Sequence, residues 1–383
     1  MGRTDYEAKP DEAVVGVVCD PGSPAELMES LADRLPDVLT DRVDAPVRWR
    51  LDVRREELEL DDSGTIPIAA ESRKWLQAEG WDFVLFLTDL PRMKRKRPML
   101  AKVNLKQRAG LVSLPAIGWF RLQRPVRDTI VHLLGILTSG MPDGSTGRHR
   151  IRRRPTEVVS PVRQLPLDDQ DADLYLVLSG ARGWLRLLFG MVRDNRPWRL
   201  VPGLSKALAA ALAAAAFGIF FSTIWTLADA LSATRLSLIS AAAVTAMVVW
   251  LITQHRLWHR PRRSIDRGDT VLFNTASVLT LFLGVTCMYV VLFAALLFAA
   301  LIIISGDYFQ SQLGHPVGFT DYLSIVWLSS SLGTFAGAIG STLETQDDLH
   351  RAAYSRRERQ RRERWAEEER TENDDQNPRS EAA

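Results

Sequence analysis

The chain has 383 residues, 46% hydrophobic and 25% charged, with 48 Lys+Arg against 46 Asp+Glu and a formal charge of +2. That balance excludes a disordered, collagen-like or wholly basic chain. Two cysteines, Cys19 and Cys287, exclude a disulfide scaffold and a cysteine-cluster metal site. The average conceals an asymmetry, because a polar first half precedes long apolar runs after Lys206. Arginine far outnumbers lysine and alanine is abundant, a composition that points to a GC-rich bacterial genome.

Residues 1–12 read as an N-terminal arm, too acidic and too short in its apolar run for a secretion signal. Residues 13–145 read as an α/β domain. Its first strand, Ala13 to Cys19, ends at the turn cluster Asp20-Pro21-Gly22-Ser23-Pro24. Pro24 opens a helix with Leu27, Leu31 and Leu35 on one face. Val47, Trp49, Leu51 and Val53 alternate with polar residues, the period of a half-buried strand. A helix follows over Ala69 to Ala78, then a buried strand over Asp82 to Thr88 that ends at Asp89-Leu90-Pro91. Met99 to Val103 and Gly110 to Leu114 predict two more strands, and Val126 to Thr138 a helix. Alternating strands and helices predict a sheet with helices packed on it.

Residues 146–181 read as a charged linker, with a basic run from Arg148 to Arg154 and an acidic run from Asp168 to Asp173. Residues 182–199 read as an amphipathic helix in the membrane interface. Trp184, Leu187, Leu188 and Met191 would face lipid, and Arg186 and Arg193 anionic headgroups.

Residues 204–343 then form a transmembrane domain. Four runs without Asp, Glu, Lys or Arg, about 207–228, 236–253, 271–305 and 322–343, are near or above the roughly 20 helical residues that cross a bilayer. The third would extend about 52 Å against a hydrocarbon core of about 30 Å, either as one long helix or as two with a turn near Gly284. Arginines cluster before the first span, between the second and third, and after the fourth, whereas Gly306 to Asp321 has no Lys or Arg. Basic residues stay in the cytoplasm, so this pattern predicts four spans, a single long third helix and both termini inside. Residues 344–383 form a charged cytoplasmic tail.

Chemistry is sparse. Asp20 and Asp89 each follow a strand, and ligands in parallel sheets bind outside such ends. They form a candidate ligand site, although Asp before Pro or Gly is also an ordinary turn former. No HExxH, GxSxG, P-loop or dinucleotide fingerprint occurs, so no catalytic residue, metal or cofactor is expected. Arg92, Lys94, Arg95, Lys96 and Arg97 make a basic loop. No aromatic platform for nucleic acid accompanies it, so it is assigned to anionic lipid. Within the spans no residue is ionisable except His255 at an edge, an argument against a transporter. Gly333, Gly337 and Gly340 form a small-residue stripe for close helix packing, within the chain or in a homo-oligomer.

The phrases WDFVLFLTDLPR, GLVSLPAIG, GMVRDNRPWRLVPGLS, FSTIWTLAD and SLGTFAGAIGSTLE resemble a family of uncharacterised polytopic membrane proteins from actinobacteria, over Val14 to about Tyr354. The resemblance implies an inner-membrane protein with a cytosolic domain and carries no activity. Residues and resemblance together lead to one expectation: a multi-pass protein presenting a non-catalytic α/β binding or regulatory module, with the bilayer and an unidentified protein as partners and no nucleic acid. A membrane-anchored enzyme at Asp20 and Asp89 is the first alternative, and a transporter or channel, or a helix-packing scaffold, are the others.

Overall fold

A computed structural model gives the fold and describes residues 12–43, 47–61, 65–95, 97–139, 162–166, 171–255, 257–258 and 267–344. These fall into two compact units, the first ending at Asp194 and the second beginning at Asn195. The charged tail, the basic run 148–154, Lys96 and the arginines from 256 to 263 lie outside the described residues.

The first unit is built on an eight-stranded mixed sheet. Its elements are β1 (Glu12–Cys19), α1 (Ser23–Ala32), α2 (Leu35–Arg42), β2 (Arg48–Arg55), α3 (Ile68–Glu79), β3 (Phe83–Thr88), β4 (Met93–Lys94), β5 (Arg97–Asn104), β6 (Ala109–Ser113) and α4 (Gln123–Ser139). They continue with β7 (Val162–Pro166), β8 (Leu174–Leu178) and α5 (Gly180–Asn195). The strand order is β2-β1-β3-β6-β5-β8-β7, with β4 paired to β5. β2, β1, β3 and β6 run parallel, and β5, β8 and β7 join antiparallel.

β1 and β3 read as unbroken apolar runs because they are covered on both faces. On one face α3 packs Trp75 with Val18, Phe86, Leu111 and Trp81. On the other, α1, α2 and α4 pack together, with Leu133 of α4 reaching Gly110. The outer strand β2, RWRLDVRR, carries charges that discourage edge pairing with another sheet.

Two expectations for this unit change. The helix from Pro24 ends at Ala32, short of Leu35, and Leu35 instead opens a second helix, α2, with Pro36 in its first turn, where its missing N–H costs no helical bond. The linker 146–181 contains β7 and β8, which extend the sheet beyond β5. Asp173, at the end of the acidic run, fastens them: its amide donates to Val103 O at 2.9 Å, and its carboxylate accepts from the Leu105 amide at 2.7 Å, while Asp168 and Asp169 lie outside the described residues.

The second unit is helical: a 3-10 turn Pro197–Arg199, α6 (Leu200–Gly203), α7 (Ser205–Phe220), α8 (Ser222–Ala230), α9 (Ala233–Gln254), α10 (Arg267–Ile303), α11 (Gly306–Leu313), α12 (Phe319–Gly340) and a closing 3-10 turn Ser341–Leu343. Three helices are long and apolar enough to cross a membrane, α9, α10 with its span from Thr270, and α12 to Leu343. Among the described residues the number rises to four if the bent pair Gly180–Gly203 and Ser205–Phe220 is counted as one span. α10 is one continuous helix of 37 residues, about 55 Å long.

The expected span 207–228 is not continuous. Phe221 is extended between α7 and α8. The break leaves the Gly218 carbonyl without its helical donor, and the Trp225 indole N–H takes that place at 3.0 Å. At the other end of the bundle, the Glu344 carboxylate accepts from the Lys206 amide at 2.7 Å. The Lys206 ammonium donates to Leu343 O at 2.7 Å, so each helix end caps the other.

Side chains in this unit are distributed in reverse of a water-soluble bundle. Phe298 (71% exposed), Ile302, Val290, Leu238 and Ile339 point outward, while Ser329, Ser330, Ser331 and Thr334 of α12 are buried. In water such an outer shell would leave large apolar surface wet, whereas lipid solvates it.

Candidate functional site

β1 lies inside the parallel part of the sheet, between β2 and β3. The chain leaves it for β2 on one side and returns through α3 to β3 on the other. The strand order therefore reverses between β1 and β3, and the crevice outside their carboxyl ends is where open α/β sheets bind ligands. Asp20 and Asp89 are the first residues past those ends, and the register Cys19↔Leu87 makes the two strands direct neighbours.

Asp20 is fully buried. Its amide donates to Leu87 O at 3.0 Å, and its Oδ1 accepts from the Leu58 amide at 3.1 Å, holding down the segment after β2. Gly22, at φ 110°, makes the turn into α1 that a side chain would strain. Past β3, Thr88 Oγ1 accepts from the Leu90 amide at 3.1 Å, and Ser113 at the end of β6 donates to Leu90 O at 2.8 Å. Asp89 and Arg92 are both buried in the turn so formed. The Cys19 thiol is pushed far up by burial and then by the neighbouring Asp20 charge, so it stays protonated and non-nucleophilic at neutral pH.

A second polar group lies on the α3 face. Lys102, the one charge in the run Met99 to Val103 of β5, is buried. It donates to Ile66 O at 2.8 Å and to the Asp171 carboxylate. Asp171 also accepts from the Ala69 amide in the first turn of α3 at 3.0 Å, and its carbonyl accepts from Asn104 at 3.1 Å. Burial lowers the Lys102 pKa, Asp171 opposes that shift, and the nearby Arg92 charge adds to it. In the sequence Asp171 falls in the charged linker, and Lys102 carries no motif. The interruption of the apolar run Met99 to Val103 by one charge was the available signal.

The basic loop is only partly displayed. Arg92 is buried, and the Lys94 ammonium sits 4.5 Å over the Tyr175 ring and 3.3 Å from its hydroxyl. Arg97 is half-buried, and Arg95 is exposed.

Arg186 and Arg193 face inward rather than toward headgroups. The first donates to Ile117 O at 2.6 Å, the second to Gly118 O and to Asp194. Burial pulls Arg186 down to about 10, still cationic at neutral pH. Leu187, Leu188 and Met191, the face expected in lipid, are buried, and Gly190 lies against the Pro115 carbonyl, where a Cβ would come within 1.9 Å. Amphipathicity records an apolar stripe without saying which apolar surface it meets.

Gly333, Gly337 and Gly340 lie against α7. Added Cβ atoms would sit 2.6 Å from Ala211 O, 3.0 Å from Ala207 O and 2.4 Å from Ala210 Cβ. Thr280 is buried and accepts from Asn195 at 3.1 Å, and Asn274 is buried too. Ser240, Tyr289, Trp327 and Ser331 bond one another across α9, α10 and α12. Among the described residues no group of three or more His, Cys, Asp or Glu is placed to hold a metal ion.

No protein-family profile matches this chain, and no curated protein or solved structure matches it.

Proposed function

We propose that the helical unit is inserted in the cytoplasmic membrane as four spans with both termini in the cytosol. The α/β unit is then a binding or regulatory module, and its ligand site is the carboxyl edge of β1 and β3 beside Asp20 and Asp89. The observation that carries the membrane reading is the reversed distribution of side chains, large apolar groups outside and serines within. Arginine clusters on alternate sides of the apolar runs support the orientation. The switch point between β1 and β3 supports the site.

The test of orientation is a set of reporter fusions, at the carboxyl end, between α8 and α9, and within 306–318. The first is expected to report cytosol and the other two the outside. A carboxyl end outside the cell, or release of the intact chain from membranes without detergent, overturns it. For the site, a panel of polar metabolites is expected to raise the melting midpoint of the wild type and not of Asp89→Asn. A shift retained in that variant removes Asp89 from the site.

A further inference from the structure

The α/β unit carries an apolar strip that its own core leaves uncovered. After the 3-10 turn Leu114–Ile117 the chain turns through Gly118 (φ 108°) and Arg121 (φ 49°), and Phe120 between them is 80% exposed. The Trp119 ring lies 6.0 Å from Phe120 and 6.3 Å, edge-on, from Phe189 of α5. Leu185, one turn back on α5, is exposed on the same side as Phe189. The strip thus runs from Phe120 through Trp119 to Phe189 and Leu185, away from the buried face of α5.

Its neighbours along the chain are basic. Arg121, Arg124 and Arg182 are exposed beside it. No Asp or Glu occurs from Leu105 to Arg127 or from Leu174 to Arg193, the two segments that supply the strip. Aromatic rings flanked by arginine are the chemistry of an interface with an anionic leaflet, where rings settle at headgroup depth and guanidinium groups meet phosphate. The chain itself keeps a bilayer within reach, because α5 ends ten residues before α7 begins.

We infer that Trp119, Phe120, Leu185 and Phe189 form a lipid-docking surface, held on anionic headgroups by Arg121, Arg124 and Arg182. This rests on the membrane reading above, and it assigns the contact to the outer side of α5.

The experiment uses the full chain carrying Cys287→Ala, with nitroxide labels introduced singly through Phe120→Cys, Leu185→Cys, Glu29→Cys and Val290→Cys. Each is reconstituted in bilayers of phosphatidylcholine with phosphatidylglycerol, or of phosphatidylcholine alone. Accessibility to lipid-soluble oxygen and to a water-soluble nickel chelate is measured. In the anionic bilayer, labels at 120 and 185 are expected to favour oxygen, as 290 does, while 29 favours nickel. In neutral lipid, nickel accessibility at 120 is expected to rise several-fold.

A label at 120 as nickel-accessible as the one at 29, or indifferent to lipid charge, overturns the docking surface. So does a 120–120 dipolar coupling with shielding from both reagents, which marks an interface between copies. If the label at 290 is itself nickel-accessible, the membrane reading fails instead, a result distinct from the others.

Discussion

Gly16 sits opposite Asp52 and Val84 in the sheet, and the Trp81 indole covers it so closely that an added Cβ would lie 1.7 Å from the ring. Trp81 is in turn stacked on Trp75, with centroids 5.5 Å apart and planes 2° from parallel, and its indole N–H donates to Asp52 at 3.2 Å. Gly16→Ala is therefore expected to displace the ring and destabilise the α/β unit by about 1–3 kcal/mol or more, read as a lower urea midpoint. Glu71, buried at the start of α3, has its pKa raised from 4.5, chiefly by burial. Its uncharged form is favoured in the folded state. Its contribution is full below the unfolded value and is lost as pH rises through the folded one. Glu71→Gln is expected to raise stability at neutral pH and to change little below about pH 4; equal gains at both would refute burial as the cause. Neither effect was legible beforehand. VVGVVC reads simply as strand, and Glu71 as an ordinary first-turn acid.

At the scale of elements, α7 and α12 touch backbone to side chain along a face of alanine against glycine. Small residues allow this approach, and dispersion between closely packed helices holds it in lipid, where no hydrophobic drive between helices exists. Gly333→Leu is expected to force the pair apart and lower the thermal midpoint in detergent by several degrees, whereas Ile339→Ala, on the exposed side, changes it little. α5 is held differently, by arginines bonded to carbonyls of the turn beneath it. Arg186→Ala is expected to cost about 1.5–3 kcal/mol, the worth of a hydrogen bond to a charged group, measured by urea unfolding. The glycine stripe and the amphipathic pattern were both visible in the sequence. Their partners were not, because spacing specifies a face and not what meets it. The break at Phe221 was weakly marked in the sequence, since the one Gly near it, Gly218, lies inside an alanine-rich run where a single Gly does not by itself end a helix.

For the whole molecule, the domain boundary is the main correction. The sheet is not complete at residue 145, because β8 pairs with β5 and brings Asp171 to Lys102. A chain ending at Ser139 is expected to expose the edge of β5 and strand Lys102 as a buried cation, and so to unfold non-cooperatively or aggregate. A chain ending at Asn195 is expected to unfold in a single cooperative transition, and equal behaviour of the two fragments would show β7 and β8 to be dispensable. Strands 13–19 and 82–88 were plain in the sequence because each is an apolar run ended by turn residues. β8 was hidden by its five-residue length and its acidic approach.

By itself the sequence determined where the long apolar runs lie and that an α/β sheet precedes them, while for 271–305 its charge pattern only favoured one helix over two. These follow from local composition and period, which act over a few neighbouring residues. It also placed Asp20 and Asp89 at strand ends, but only the strand order, a pairing of segments some seventy residues apart, made those ends neighbours at a point of reversal. Which apolar face α5 buries was decided in the same way, by the close fit of Gly190 on Pro115, a contact that exists only once the chain has closed on itself.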